Sequence, residues 1–282
     1  MFNVSRMSSE IIYLREEKPN VMKLILVGLK RMLKILLNPF TTFNEISMHP
    51  EIIGPAILFI LLISLSLYNE YFFREHIVIR YMANYISLNN VSISISDSTI
   101  NIVYVKDGNI VSIDEVSEIY MQNIYFFILL RSLHFILIWI ATYVIFLIIC
   151  SLLRGRTTDI FKSVGYFFSI NLMENIVKLI YIYQILNNFS QINIITGENM
   201  DISKILTKSI VVINNFYLST HTQLKWIIGG INWFLALWGI VISIAFLNSF
   251  SKISVLKSII GGVIAYTVIK ILSGLIIPIP VL

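Results

Sequence analysis

The chain has 282 residues, 57% of them hydrophobic and only 13% charged, and a mean hydropathy of +0.81, which excludes an ordinary soluble domain and marks an integral membrane protein. Its net charge of +5 would suggest nucleic acid in a soluble protein, but here membrane topology accounts for it and no nucleic-acid partner is expected. Cys150 is the single cysteine, so an intrachain disulfide, a multi-cysteine zinc site and an iron–sulfur cluster are excluded.

Residues 1–20 (MFNVSRMSSEIIYLREEKPN) read as a polar N-terminal tail. They hold no apolar core ahead of a small-residue cleavage site, so no secretory signal is expected to be removed and the N-terminus is expected to stay in the cytoplasm. Residues 21–50 read as cytoplasmic interfacial helices and an elbow. In VMKLILVGLKRMLKILL (Val21 to Leu37), Lys23, Lys30 and Lys34 fall within roughly 20° of one helical line at about 100° per residue. Such an amphipathic helix either lies in the interface with its lysines toward anionic headgroups or packs on the bundle with its charges solvated, and the two placements are compatible. Asn38 suits an N-cap and Pro39 the first helical position, with Thr42 and Glu45 at capping-box spacing. A short helix follows in which Phe40, Phe43 and Ile46 can share an apolar face. Pro50 ends it, and Pro55 lies one turn into the next helix, where it is expected to kink it.

Residues 51–282 read as a transmembrane domain. A helix crossing about 30 Å of hydrocarbon needs roughly 20 apolar residues. Five stretches qualify: Ile52–Phe72, Ile124–Leu153, Val164–Leu186, Trp226–Leu247 and Ile259–Leu282. The fold class expected is therefore an all-α membrane protein, a bundle of five transmembrane helices with an N-terminal interfacial amphipathic helix and a small β-rich outer loop. Lysine and arginine orient it. Seven precede the first span, Arg154, Arg156 and Lys162 follow the second, and Lys252 and Lys257 follow the fourth. The opposite, longer loops hold only Arg74, Arg80, Lys106, Lys204, Lys208 and Lys225. The positive-inside rule then expects a multi-pass cell-membrane protein with a cytoplasmic N-terminus and an outer C-terminus.

In the outer loop 74–123, VSISISDSTINIVYVKDGNIVSID alternates apolar and polar residues. Asp107-Gly108 signals a turn between the runs Ile100–Val105 and Ile110–Ile113, so a small antiparallel sheet is expected. It reads as a cap over the bundle or as a ligand-binding ectodomain. The second outer loop, Asn187–Lys225, suggests one short helix and no motif. Asn90-Val91-Ser92 and Asn188-Phe189-Ser190 match the short glycosylation pattern.

Ionisable groups inside a span are costly and mark candidate functional positions. Span two carries Arg131 and His134, and span three carries Asn171, Glu174, Asn175 and Lys178 on one helical face. Span four has Asn232 and span five Lys270. Helical rise places Arg131, Lys178 and Asn232 roughly 10 Å below the outer boundary and His134, Glu174 and Lys270 near the middle. Either Glu174 pairs with Arg131, Lys178 or Lys270 and the asparagines bridge helices, or the cationic excess attracts an anion or lipid headgroup. A proton relay through Glu174 and His134 is the third reading. Gly261 with Ala265, and the pair Gly229-Gly230, suggest close helix packing. No nucleotide, zinc-hydrolase or serine-hydrolase motif is present, so no enzyme activity, cofactor or metal is expected.

The segment LLNPFTTFNEISMHPEIIGPAILFIL (Leu36–Leu61) resembles the lead-in to the first span of prokaryotic members of the Yip (Ypt/Rab-interacting protein) family. Asn38, Pro39, Thr42, Phe43, Glu45, Pro50 and Pro55 carry that resemblance. LLRGRTTDIFKSVGYFFSI (Leu152–Ile170) is similar to the family's short cytoplasmic loop. The resemblance implies five spans, a cytoplasmic N-terminus, and a membrane-organising or adaptor role with membrane-protein partners or self-association. Eukaryotic relatives associate with prenylated Rab-type GTPases through an Asp-Leu-Tyr-Gly-Pro motif. Here only Ile53-Gly54-Pro55 stands in its place, so GTPase binding is not carried over. The alternative is a small transporter, channel or lipid-moving protein using the charged face.

Overall fold

The structure, a computed structural model, describes residues 21–82, 91–96, 99–104, 109–155, 157, 160–197 and 201–275. The polar tail, Asn90, the Asp107-Gly108 turn and residues 276–282 of the last expected span lie outside the described residues, as do the side chains of Lys23 and Asn188.

Two helices precede the bundle, α1 (Val21–Leu37) and α2 (Pro39–Met48). Four helices are long and apolar enough to cross a membrane: α3 (Ile53–Arg74), α5 (Ile124–Leu152), α9 (Thr222–Ser251) and α10 (Val255–Leu275). They make the chain a multi-pass membrane protein. The third stretch expected to span folds as α7 (Ser169–Asn188), after a short helix α6 (Ile160–Val164) and a 3-10 turn over Gly165–Phe168. It is not among the four, because Asn171, Glu174, Asn175 and Lys178 lower its hydropathy.

α3 and α7 pack along each other, and α10 packs on α9 and α5. Small residues allow the closest approaches. A Cβ at Gly261 would stand 2.8 Å from Leu153 and one at Gly239 would stand 2.2 Å from Tyr266, whereas Gly229 and Gly230 have nothing within 4 Å. The packing expected of Gly261 and Ala265 is thus present, and that expected of Gly229-Gly230 is absent within the chain. Toward α1 and α2 the core is aromatic: Phe246 lies 5.3 Å from Phe43, 4.6 Å from Phe146 and 4.7 Å from Phe250, between ring centroids. Edge-to-face and offset contacts of this kind add about 0.5–1.5 kcal/mol each beyond area burial.

α1 rests on the bundle through buried Gly28, Arg31, Met32 and Ile35, mainly against α3. Its opposite side exposes Met22, Leu26, Leu33 and Leu37. On α2, Phe43 and Ile46 are buried but Phe40 is 43% exposed, so the expected Phe40/Phe43/Ile46 face is instead Pro39, Thr42, Phe43 and Ile46. Pro55 is the third residue of α3, in the first turn, where its missing N–H removes no intrahelical bond; α3 continues through it as a single helix.

At the other end of the bundle lies a five-stranded sheet built from β1 (Ile77–Met82), β2 (Ser92–Ser96), β3 (Thr99–Val103), β4 (Ile110–Glu115) and β5 (Gln191–Gly197). The order is β2-β3-β5-β1-β4. This corrects the sequence expectation twice. β3 and β4 do not form a hairpin, since two strands separate them, and the sheet is mixed: β5 runs parallel to both β3 and β1. Antiparallel pairing joins β2 to β3 and β1 to β4. The second loop also holds more than a short helix, because α8 (Ile202–Thr220) runs 19 residues. One sheet face, with Ile79, Ile100, Ile102, Ile192 and Ile194 fully buried, closes a second core against α8 and the ends of α3 and α7. A seven-residue helix, α4 (Val116–Gln122), links β4 to α5.

Candidate functional site

The elbow between α1 and α3 is held by charge. Asn38 caps α2 as expected: its Oδ1 accepts from Thr41 N at 3.4 Å, and its carbonyl accepts from Thr42 Oγ1 at 2.7 Å. Glu45 does not complete a capping box. It reaches back to α1, where Lys34 Nζ donates to it at 2.8 Å and Arg31 Nε lies 3.7 Å away. The Lys34 ammonium that hydrogen-bonds Glu45 holds its carboxyl below the usual carboxylate value. Buried Arg31 also donates to the carbonyl of His49 at 3.1 Å and lies 3.6 Å from Glu51. Glu51 accepts from Gly54 N at 2.8 Å, serving the open first turn of α3, and from the Tyr166 hydroxyl. Trp238 Nε1 of α9 donates to Leu36 O at the end of α1. Pro50 lies between the ends of α2 and α3. Of the expected lipid-facing stripe, Lys30 is exposed but Lys34 is tied to Glu45.

Within the bundle the charges pair at two levels. At the first, Glu70 of α3 accepts from Arg131 Nη2 of α5 at 2.7 Å and from Arg74 Nη2 at 2.8 Å, with all three side chains at most 11% exposed. Arg74 also lies over the rings of Tyr120 and Phe127 at 5.7 and 5.4 Å. Burial, and then the nearby Glu70 carboxylate, push the Tyr120 hydroxyl up to about 12. At the second level Lys270 Nζ of α10 donates to Glu174 Oε1 at 2.5 Å. Of the three cations open to Glu174, Lys270 is the one that takes it.

The asparagines act differently from expectation. Asn69, not singled out from the sequence, donates to Asn175 O at 3.0 Å and so ties α3 to α7. Asn175 donates to Asn171 O at 2.9 Å within its own helix rather than to a neighbour. His134 is half-buried, with its ring 5.7 Å from that of Phe135.

Lys178 is the exception. Each carboxylate near it is taken by another cation, and among the described residues it has no ion pair or hydrogen bond of its own. It borders a gap of about 10 Å³ beside Glu70, Arg131 and Asn175. It also lines an open-sided cavity of about 470 Å³ bounded by α7, α8, α9 and Phe73 of α3, which Glu174 and Asn232 reach as well; Lys178 and Asn232 are themselves exposed. Across that cavity Tyr181 donates to Asn214 Oδ1 at 2.5 Å. The structure thus brings Glu174, Lys178 and Asn232 to one space. Arg31, Glu51 and Tyr166 escape sequence reasoning because their contacts join segments up to 115 residues apart. The available signal for Arg31 is its position, about 80° off the lysine line. Among the described residues no three His, Cys, Asp or Glu side chains come together to hold a metal ion.

Fold and site together define the class, a helical multi-pass membrane protein carrying a small mixed sheet at one end of its bundle. Compared with protein-family models, curated proteins and solved structures, the chain matches none.

Proposed function

We infer that the chain is a non-enzymatic membrane protein that organises membranes or adapts partners within them, in the manner of a Yip-like protein. In this reading α7 is a fifth span, its 20 residues rising about 30 Å. The N-terminus is cytoplasmic and the C-terminus outside, so the elbow lies in the cytoplasmic interface and the sheet with α8 stands on the outer face. The exposed apolar side of α1 beside Lys30 supports seating in the interface of an anionic membrane.

The observation that carries the reading is the pairing of the charges inside the bundle. Arg131 is held by Glu70 and Lys270 by Glu174, which locks helices together where lipid supplies no hydrophobic drive. The gap of about 10 Å³ beside Arg131 has room for about one water, and the cavity of about 470 Å³ that reaches Glu174 and Lys178 is lined by no described residue of α5 or α10. Reconstitution in liposomes tests it: the expected result is no anion flux and no lipid scrambling, with discrete partner or self-association products on crosslinking in native membranes. Flux or scrambling abolished by Glu174→Gln or Lys270→Met would replace this reading with a transporter.

A further inference from the structure

The cavity between α7, α8 and α9 joins three properties that ordinarily belong to a ligand site. It is large enough, since its volume of about 470 Å³ falls in the roughly 300–1,000 Å³ range of small-molecule sites. Its walls are mostly hydrocarbon, with Phe73, Val177, Ile182, Ile210 and Ile228 among them. Its polar groups leave donors uncommitted. Glu174 is taken by Lys270 and the Asn214 carbonyl by Tyr181, while Lys178 and Asn232 have no hydrogen-bond partner among the described residues.

An ammonium in low-dielectric surroundings without a counter-ion is costly, and an anion supplied from outside the chain removes that cost. A small inorganic anion would leave most of the volume empty against isoleucine and valine. An amphiphile fills both requirements, with its acidic oxygens on Lys178 and Asn232 and its chain along the apolar wall. Exposed Tyr68, Tyr125, Tyr183 and Trp226 lie toward the ends of α3, α5, α7 and α9 nearest the sheet, where an aromatic belt marks the headgroup region. Asn232 follows Trp226 along α9 by about 9 Å of helical rise, so a headgroup on Lys178 and Asn232 would sit below that belt, drawn inward by the ammonium.

We propose that this cavity binds an acyl-chain amphiphile with an anionic oxygen headgroup, with Lys178 as the headgroup ligand. The site rests on the reading of α7 as a span but goes beyond the scaffold role, because binding requires neither transport nor a protein partner. A free fatty acid and an anionic phospholipid share this chemistry, and the experiment separates them.

The full chain is placed in phosphatidylcholine nanodiscs, and saturable binding of radiolabelled palmitate is measured in one arm and of radiolabelled phosphatidylglycerol in the other. The expected result is one saturable site per chain in at least one arm, over a phosphatidylcholine background. Lys178→Met should weaken it about tenfold or more and Lys178→Arg should retain it, as a charge-assisted contact requires. Ile228→Trp, which narrows the cavity and leaves every charge in place, should weaken it, and decides the matter if Lys178→Met fails to fold. Palmitate alone identifies a fatty-acid site, and phosphatidylglycerol alone a phospholipid site. No saturable binding in either arm, or binding unchanged by the variants that fold, overturns the proposal.

Discussion

Replacing Glu70 by methionine removes the one carboxylate shared by two guanidinium groups and leaves the space filled. Arg131, only 3% exposed, would then keep its charge inside the bundle without the partner now 2.7 Å away. Breaking a buried pair from one side costs about 3–5 kcal/mol in soluble proteins. Pair energies measured inside membranes are smaller, because the loosened state finds substitutes, so we expect about 3 kcal/mol. Arg131→Met should cost less, about 1–2 kcal/mol, since Glu70 keeps Arg74 at 2.8 Å. Arg74→Met should cost least, about 1 kcal/mol, because Glu70 keeps Arg131 and the losses are one i,i+4 ion pair and the cation–π contacts to Tyr120 and Phe127. The double variant Glu70→Met/Arg131→Met should be more stable than Glu70→Met alone, because no buried charge is left orphaned. The assay is unfolding in mixed detergent and dodecyl sulfate micelles, followed by far-UV circular dichroism. A cost of Glu70→Met below about 0.5 kcal/mol, or a double variant worse than the single, would show that the triad is not the lock described here.

Two further outcomes follow from close contacts and from titration. A Cβ at Gly28 would lie 2.7 Å from the Cα of Gly54, a backbone atom that cannot turn aside, so Gly28→Ala should destabilise the seat of α1 by about 1–3 kcal/mol. Gly230→Ala, with open space around it, should be neutral or gain up to about 1 kcal/mol in the same micelle assay; equal costs for the two would refute the packing described. Glu45 has its folded pKa lowered from 4.5 by Lys34, so the contribution of this pair is present above that value and is lost as pH falls through the folded pKa. Both side chains are 42% exposed, which limits the effect to a few tenths of a kcal/mol. Wild type should exceed Lys34→Gln by that margin at neutral pH and lose the margin in acid; a difference independent of pH would rule the pair out as its source.

Long apolar runs are legible because each span is a local property of about 20 consecutive residues, and α3, α5, α9 and α10 lie close to where hydropathy places them. The polar face of α7 was equally legible as a helical spacing, but which cation meets Glu174 depends on helix rotation, which no spacing encodes. The sheet is half legible for a related reason. Alternation identifies β3 and β4, and Asp107-Gly108 suggests a turn between them, whereas pairing is decided by β5, about 90 residues beyond β3. QINIITG has four of its seven residues as Ile or Gly with buried positions on both faces, so it shows no alternation from which to identify it. Glu45 illustrates the same limit at short range: its spacing from Thr42 fits a capping box, but a lysine and an arginine on the preceding helix compete for it and win.

The central position of β5 has a consequence for biogenesis. When synthesis has passed β4, the chain holds only two separate ribbons, β2 with β3 and β1 with β4, and neither touches the other. The strand that sutures them emerges after α5, α6 and α7, so two further bundle helices must be made before the sheet can exist as one body. The sheet is therefore a late product of synthesis: its completion requires that the helices encoded between β4 and β5 have already been made.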